Sequence, residues 1–202
     1  SSASRCVANA ACVPAPPVVS LSASPNPVQY NAPTTLTWSS SGATSCTTGL
    51  GPWPSPGARG TSGSQATGNL TASATFNISC TGPGGTTTSN NVTVNIAAPT
   101  VTLYCNGADN LCSVAYGASP SLSWSPANAT ACTASGSWSG SKSSGGGSET
   151  VGPLYNPPAS RAYTISCTGP GGSASDTVTV NVGAAPAPTA SILCNGLASC
   201  SI

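Results

Sequence analysis

The sequence predicts an all-β protein made of two sandwich domains in tandem, with an extension at each end. Three observations carry this. A ten-residue stretch occurs twice in the 202 residues, as Phe76-Asn-Ile-Ser-Cys80-Thr-Gly-Pro-Gly-Gly85 and Tyr163-Thr-Ile-Ser-Cys167-Thr-Gly-Pro-Gly-Gly172. In each copy alternate residues face one side, the period of a half-buried strand, and Gly-Pro-Gly-Gly then lets the chain reverse, because Pro fixes φ and Gly accepts positive φ. A cysteine lies eight residues after a tryptophan in both copies, Trp38 to Cys46 and Trp124 to Cys132, and Cys80 and Cys167 follow 34 and 35 residues later. Such register over a whole unit marks a duplication, and units of roughly 85 residues are large enough for a small sandwich core.

Residues 1–16 form an N-terminal extension, in which Cys6 and Cys12 enclose five small residues. Val13-Pro-Ala-Pro-Pro17 reads as a stiff, extended linker. The first domain, 17–98, opens with a strand carrying Val19 and Leu21 on one face. Pro25-Asn-Pro27 turns the chain, and Val28–Tyr30 and Thr35–Trp38 are the next expected strands, with Leu36 and Trp38 inward. Residues 47–68, rich in Gly, Pro and Ser around Trp53, predict loops and short edge strands. A hairpin with Phe76, Ile78 and Cys80 on one strand and Val92, Val94 and Ile96 on the next closes the domain.

The second domain, 99–184, repeats this order. Val101 and Leu103 match Val19 and Leu21, and Val114 stands ten residues before Trp124 as Val28 stands ten before Trp38. Cys105 and Cys112 bracket six residues where the first domain has Pro-Asn-Pro. Trp138 matches Trp53 and Leu154 matches Leu70, and Val178, Val180 and Val182 complete the second hairpin.

Residues 185–202 are a linker followed by the first strand of an incomplete third repeat: Ala190, Ile192 and Cys194 alternate as Val101, Leu103 and Cys105 do. A lone strand can neither bury that face nor satisfy its backbone groups. Addition to a neighbouring chain's sheet is therefore expected, with the segment around Cys6 and Cys12 as the neighbour; the alternative is a tandem array cut at Ile202. The chain starts at Ser1 without a secretory leader, as a mature or excised product does.

Only 3% of residues are charged and the net charge is +1, which provides no footprint for nucleic acid or an anionic membrane. No apolar run is long enough to span a bilayer. So little charge on a Ser-, Thr-, Gly- and Asn-rich chain fits a surface that is assembled or glycan-coated, or a neutral extracellular spacer. Ten cysteines without Met or His place the chain in an oxidising compartment, so an extracellular or cell-surface location is expected.

The absence of His excludes Ser-His and Cys-His catalysis. The acids are Asp109, in an expected disulfide loop, Glu149, on an expected strand, and Asp176, at an expected hairpin, and the first repeat has none of them. No enzymatic activity and no cofactor are expected. Zinc sites favour cysteine pairs two to four residues apart, often with His; the close pairs here are separated by five or six residues. Disulfides are expected instead. Cys46–Cys80 and Cys132–Cys167 would lie inside the domains, each contributing about 3 kcal/mol. Cys6–Cys12, Cys105–Cys112 and Cys194–Cys200 would be small loops, with cross-chain pairing of the terminal loops as the alternative.

Two further features admit two readings each, and a third is noted. Lys142 and Glu149 are a surface charge pair or part of an intramolecular isopeptide bond; Arg59 and Gln65 hold the matching places. Trp53 and Trp138 pack in the core and loops or offer a sugar-stacking platform. Asn69, Asn77, Asn91 and Asn128 head N-x-Ser/Thr sequons, which are incidental in a bacterial protein.

Seven or so short strands with one long-range cysteine pair resemble an immunoglobulin-like sandwich. The antibody pattern is departed from, since Trp38 and Trp124 precede the first cysteine, and Ile78 and Ile165 stand where a tyrosine would. Over residues 17–184 the units resemble the tandem Ig-like modules of bacterial secreted and cell-surface proteins. The matching stretches are Leu36-Thr-Trp38, Ala43-Thr-Ser-Cys46, Ser137-Trp-Ser-Gly-Ser-Lys142, Gly147-Ser-Glu-Thr150 and Cys167-Thr-Gly-Pro-Gly-Gly172. The resemblance implies a sandwich with a surface or secreted role and no catalytic residues. The expected function is a structural subunit of an extracellular filament or stalk, self-associating head-to-tail through its terminal segments. The alternative is an adhesin or carbohydrate-binding array whose Trp53 and Trp138 loops contact a glycan.

Overall fold

Alternation of apolar and small hydroxyl residues sets both sheets of each domain. In a computed structural model describing residues 13–156 and 159–190, β1 (Val18–Ser24) and β2 (Thr35–Ser41) bury Leu21, Leu36 and Trp38 and turn Ser and Thr outward. β3 (Ser45–Thr48), β4 (Ala58–Arg59) and β5 (Ser62–Ala66) follow, and β5 pairs with β2 to complete a β1-β2-β5 sheet. The opposite sheet has the order β4-β3-β7-β8, with β7 at Ile78–Gly82 and β8 at Gly85–Thr88. β6 (Ala74–Phe76) and β9 (Val92–Val94) form a separate pair that prolongs the hairpin.

The expected strand through Phe76, Ile78 and Cys80 is thus divided at Asn77. The Asn77 side-chain oxygen accepts the Leu50 N–H at 2.7 Å and its own N–H donates to the Leu50 carbonyl at 3.4 Å. These bonds draw Asn77 to the neighbouring loop and out of the ladder. The expected Val28–Tyr30 strand is also corrected. Val28 makes only an isolated parallel bridge to Ile96, because Pro27 and Pro33 flank the segment and Asn31 turns with φ 59°.

The second domain is more regular. β10 (Thr100–Cys105) turns into the short β11 (Ala108–Asp109), and β12 (Leu111–Val114) runs parallel to β18 (Gly172–Val182). Without the prolines of the first domain, this segment keeps the N–H groups a full strand needs. β13 (Ser121–Ala127), β14 (Ala131–Gly136), β15 (Gly140–Lys142), β16 (Gly147–Thr150) and β17 (Ser160–Gly169) complete the sheets β11-β10-β13-β16 and β12-β18-β17-β14-β15. Asp176, expected at a hairpin, lies on the second strand of the β17–β18 hairpin opposite Ile165.

Each domain has its own core. In the first it includes Leu36, Trp38, Trp53, Phe76 and Ile78; in the second Leu122, Trp124, Trp138, Tyr163 and Ile165 stand in the matching places. Cys46–Cys80 and Cys132–Cys167 are disulfides between directly opposed residues of neighbouring strands, with Cα atoms 4.0 and 4.1 Å apart. They staple one sheet, whereas the antibody disulfide joins two sheets. Cys105–Cys112 closes the β11 turn. Cys6, Cys12, Ile192, Cys194 and Cys200 lie outside the described residues, and so do the expected terminal loops and most of the assembly strand; Ala190 is exposed and outside any strand.

The chain is therefore all-β, two Ig-like sandwiches in tandem. Cross-strand hydroxyl pairs cover the outer faces: Ser20 with Ser39 at 2.8 Å, Ser79 with Thr88 at 2.7 Å and Thr164 with Thr177 at 2.8 Å.

Candidate functional site

Each domain carries a row of three rings in edge-to-face contact beneath a cation. Trp38, Trp53 and Phe76 have successive centroids 6.1 and 5.7 Å apart; Trp124, Trp138 and Tyr163 have them 5.8 and 6.2 Å apart. The cation is Arg59 over Trp53 at 6.0 Å, and Lys142 over Trp138 at 4.5 Å. Arg59 donates to Gln65 Oε1 at 2.6 Å, and Lys142 pairs with Glu149 in the same places. The Lys142 side chain is only 8% exposed, so the pair expected on the surface is half-buried against an indole.

This arrangement overturns the sugar-platform reading of Trp53 and Trp138. The two residues are 5% and 7% exposed, and no ring face is left for a ligand. Their indole N–H groups donate to the Leu50 carbonyl at 2.8 Å and the Thr164 carbonyl at 2.9 Å. Burial of the Tyr163 hydroxyl raises its pKa above the usual tyrosine value, partly offset by the nearby Arg161 charge.

The acids do not assemble. Asp176 accepts the Leu103 N–H at 2.6 Å and the Thr177 N–H at 2.8 Å, tying the two sheets together, while Glu149 faces Lys142. Among the described residues no group of three His, Cys, Asp or Glu side chains could hold a metal ion. A groove of about 520 Å³ in the first domain lies between Gly51-Pro52 and residues 67–75, and its lining carries no charge. Among the described residues no helix is long and apolar enough to cross a membrane.

The remaining constellation lies where the domains meet. Asn128 Oδ1 accepts the Tyr30 N–H at 3.1 Å, and Asn128 Nδ2 donates to the Ala98 carbonyl at 3.2 Å. Gly171, in the second Gly-Pro-Gly-Gly turn, packs directly on the Ile96 and Ala97 carbonyls, which a Cβ would strike. Gly84 packs in the same way on Pro14 and Ala15. In the sequence Asn128 stands out only as the head of a sequon. The available signal was its place opposite Gly42 four residues after the core Trp, because Asn and Gly both accept positive φ.

No family model matches the chain, and no curated protein matches it. Solved structures similar to it include three N-terminal domains of the outer capsid protein Hoc of bacteriophage RB49, with TM-score 0.39, 10% identity, and 82% of this chain and 59% of that one covered. The chain thus spans less than two thirds of that structure. A titin A168–A169 structure has TM-score 0.38 and 11% identity, covering 83% and 98%. Fibronectin(III)-like modules of Clostridium thermocellum CbhA have TM-score 0.32 and 9% identity, covering 82% and 94%.

Proposed function

We propose that the chain is a structural subunit of an extracellular or cell-surface filament or stalk, built from rigid Ig-like modules and polymerised head-to-tail through its terminal segments. The observation that carries this reading is the joint. Ile96 belongs to the first core and Thr100 already begins β10, so only residues 97–99 separate the domains, and they lie under the Gly171 turn. Modules joined without slack transmit orientation along a chain, which a stalk needs. Outer faces of paired hydroxyls support it too, because such faces can meet a neighbour without desolvating charge. The glycan-binding alternative lacks such support, since its two contact residues are core residues.

Sedimentation velocity over a range of concentrations tests this. The full chain should grow beyond one subunit as concentration rises, and a chain ending at residue 184 should not. A full chain that sediments as a monomer throughout, or a shortened chain that assembles equally well, overturns the reading.

A further inference from the structure

Three segments converge on one carboxamide. Asn128 lies in the turn between β13 and β14 with φ 56°, in the left-handed region. From there its side chain reaches two backbone groups: the N–H of Tyr30, in a loop of the first domain, and the carbonyl of Ala98, in the connection.

We propose that Asn128 is a lock that fixes the second domain on the first in a single orientation. The two bonds use opposite ends of one planar amide, so rotation about the 97–99 connection breaks at least one of them. Gly171 removes the alternative of a loose joint, since the strap beneath it is in direct backbone contact.

The first domain shows that the lock is an addition to the fold and no requirement of it. Gly42 occupies the equivalent turn with φ 75°, and its carbonyl lies against Gly82 as that of Asn128 lies against Gly169. Pro14 and Ala15 lie under Gly84 as Ile96 and Ala97 lie under Gly171. The turn is therefore made equally well without a side chain, and the Asn128 carboxamide contributes only the contacts across the joint. One of the two contacts engages the amide nitrogen of the Asn128-Ala-Thr130 sequon. The lock holds within one chain, whether or not that chain polymerises.

The test uses the full chain in solution. Residual dipolar couplings of the parent should fit one alignment tensor for both domains. In Asn128→Gly, which keeps the left-handed turn, each domain should need its own tensor. Hydrogen exchange at the Tyr30 amide should speed up about tenfold, the loss expected for one net hydrogen bond, while core amides stay unchanged. Asn128→Asp should keep Tyr30 protected, because it retains the acceptor. Two separate tensors in the parent overturn the proposal outright. So does an Asn128→Gly variant with a common tensor and an unaltered Tyr30 exchange rate.

Discussion

The Lys142 ammonium lies 4.5 Å from the centroid of the Trp138 ring, with Glu149 as its ion-pair partner. The first domain builds the same cap from Arg59, Trp53 and Gln65. A cation this buried needs its partner, whereas the partner, 43% exposed, is well solvated. Glu149→Gln should therefore destabilise the second domain modestly, by about 1 kcal/mol, since solvent screens part of the pair. Lys142→Arg, which copies the first domain, should be close to neutral. Urea midpoints of the two variants check this.

Trp138→Ala should act on stability and not on ligand binding. It removes the middle ring of a row of three from a packed core, a change that costs about 3–5 kcal/mol. Thermal unfolding should show the loss in the second domain. A glycan array probed with the parent should give no signal that this substitution removes.

Stability should fall at alkaline pH through Tyr163. Its folded-state pKa lies above the ordinary tyrosine value, so the unfolded chain releases this proton first. Above about pH 10, the unperturbed tyrosine pKa, the folded state holds more protons than the unfolded one and stability declines until the folded pKa is passed. Below pH 10 this contribution is fully present. Tyr163→Phe should flatten the alkaline limb of a denaturation-versus-pH curve.

Much of the fold was legible because the duplication samples each position twice. Trp38 with Trp124, Cys46 with Cys132 and Leu70 with Leu154 carry the same core in both copies. Local competition was less legible. Nothing in the alternation around Phe76 and Ile78 reveals that Asn77 will bond to Leu50 and divide the strand. Prolines around Val28 reduce a strand to one bridge, although the matching Val114 lies in a full strand. Of the site, Trp53 and Trp138 are legible as a matched pair, but the sequence leaves core packing and a sugar platform both open, because an aromatic in a Gly-Ser-rich loop looks the same whether it faces solvent or folds under. The Asn128 contacts cross between domains, and no periodicity within one domain encodes them.

The most direct measurement is electron microscopy of the purified chain with its disulfides intact. The account predicts filaments whose axial repeat corresponds to one two-domain subunit, with domain pairs at a constant angle along them. Fields containing only separate single chains, at every concentration tested, would contradict it.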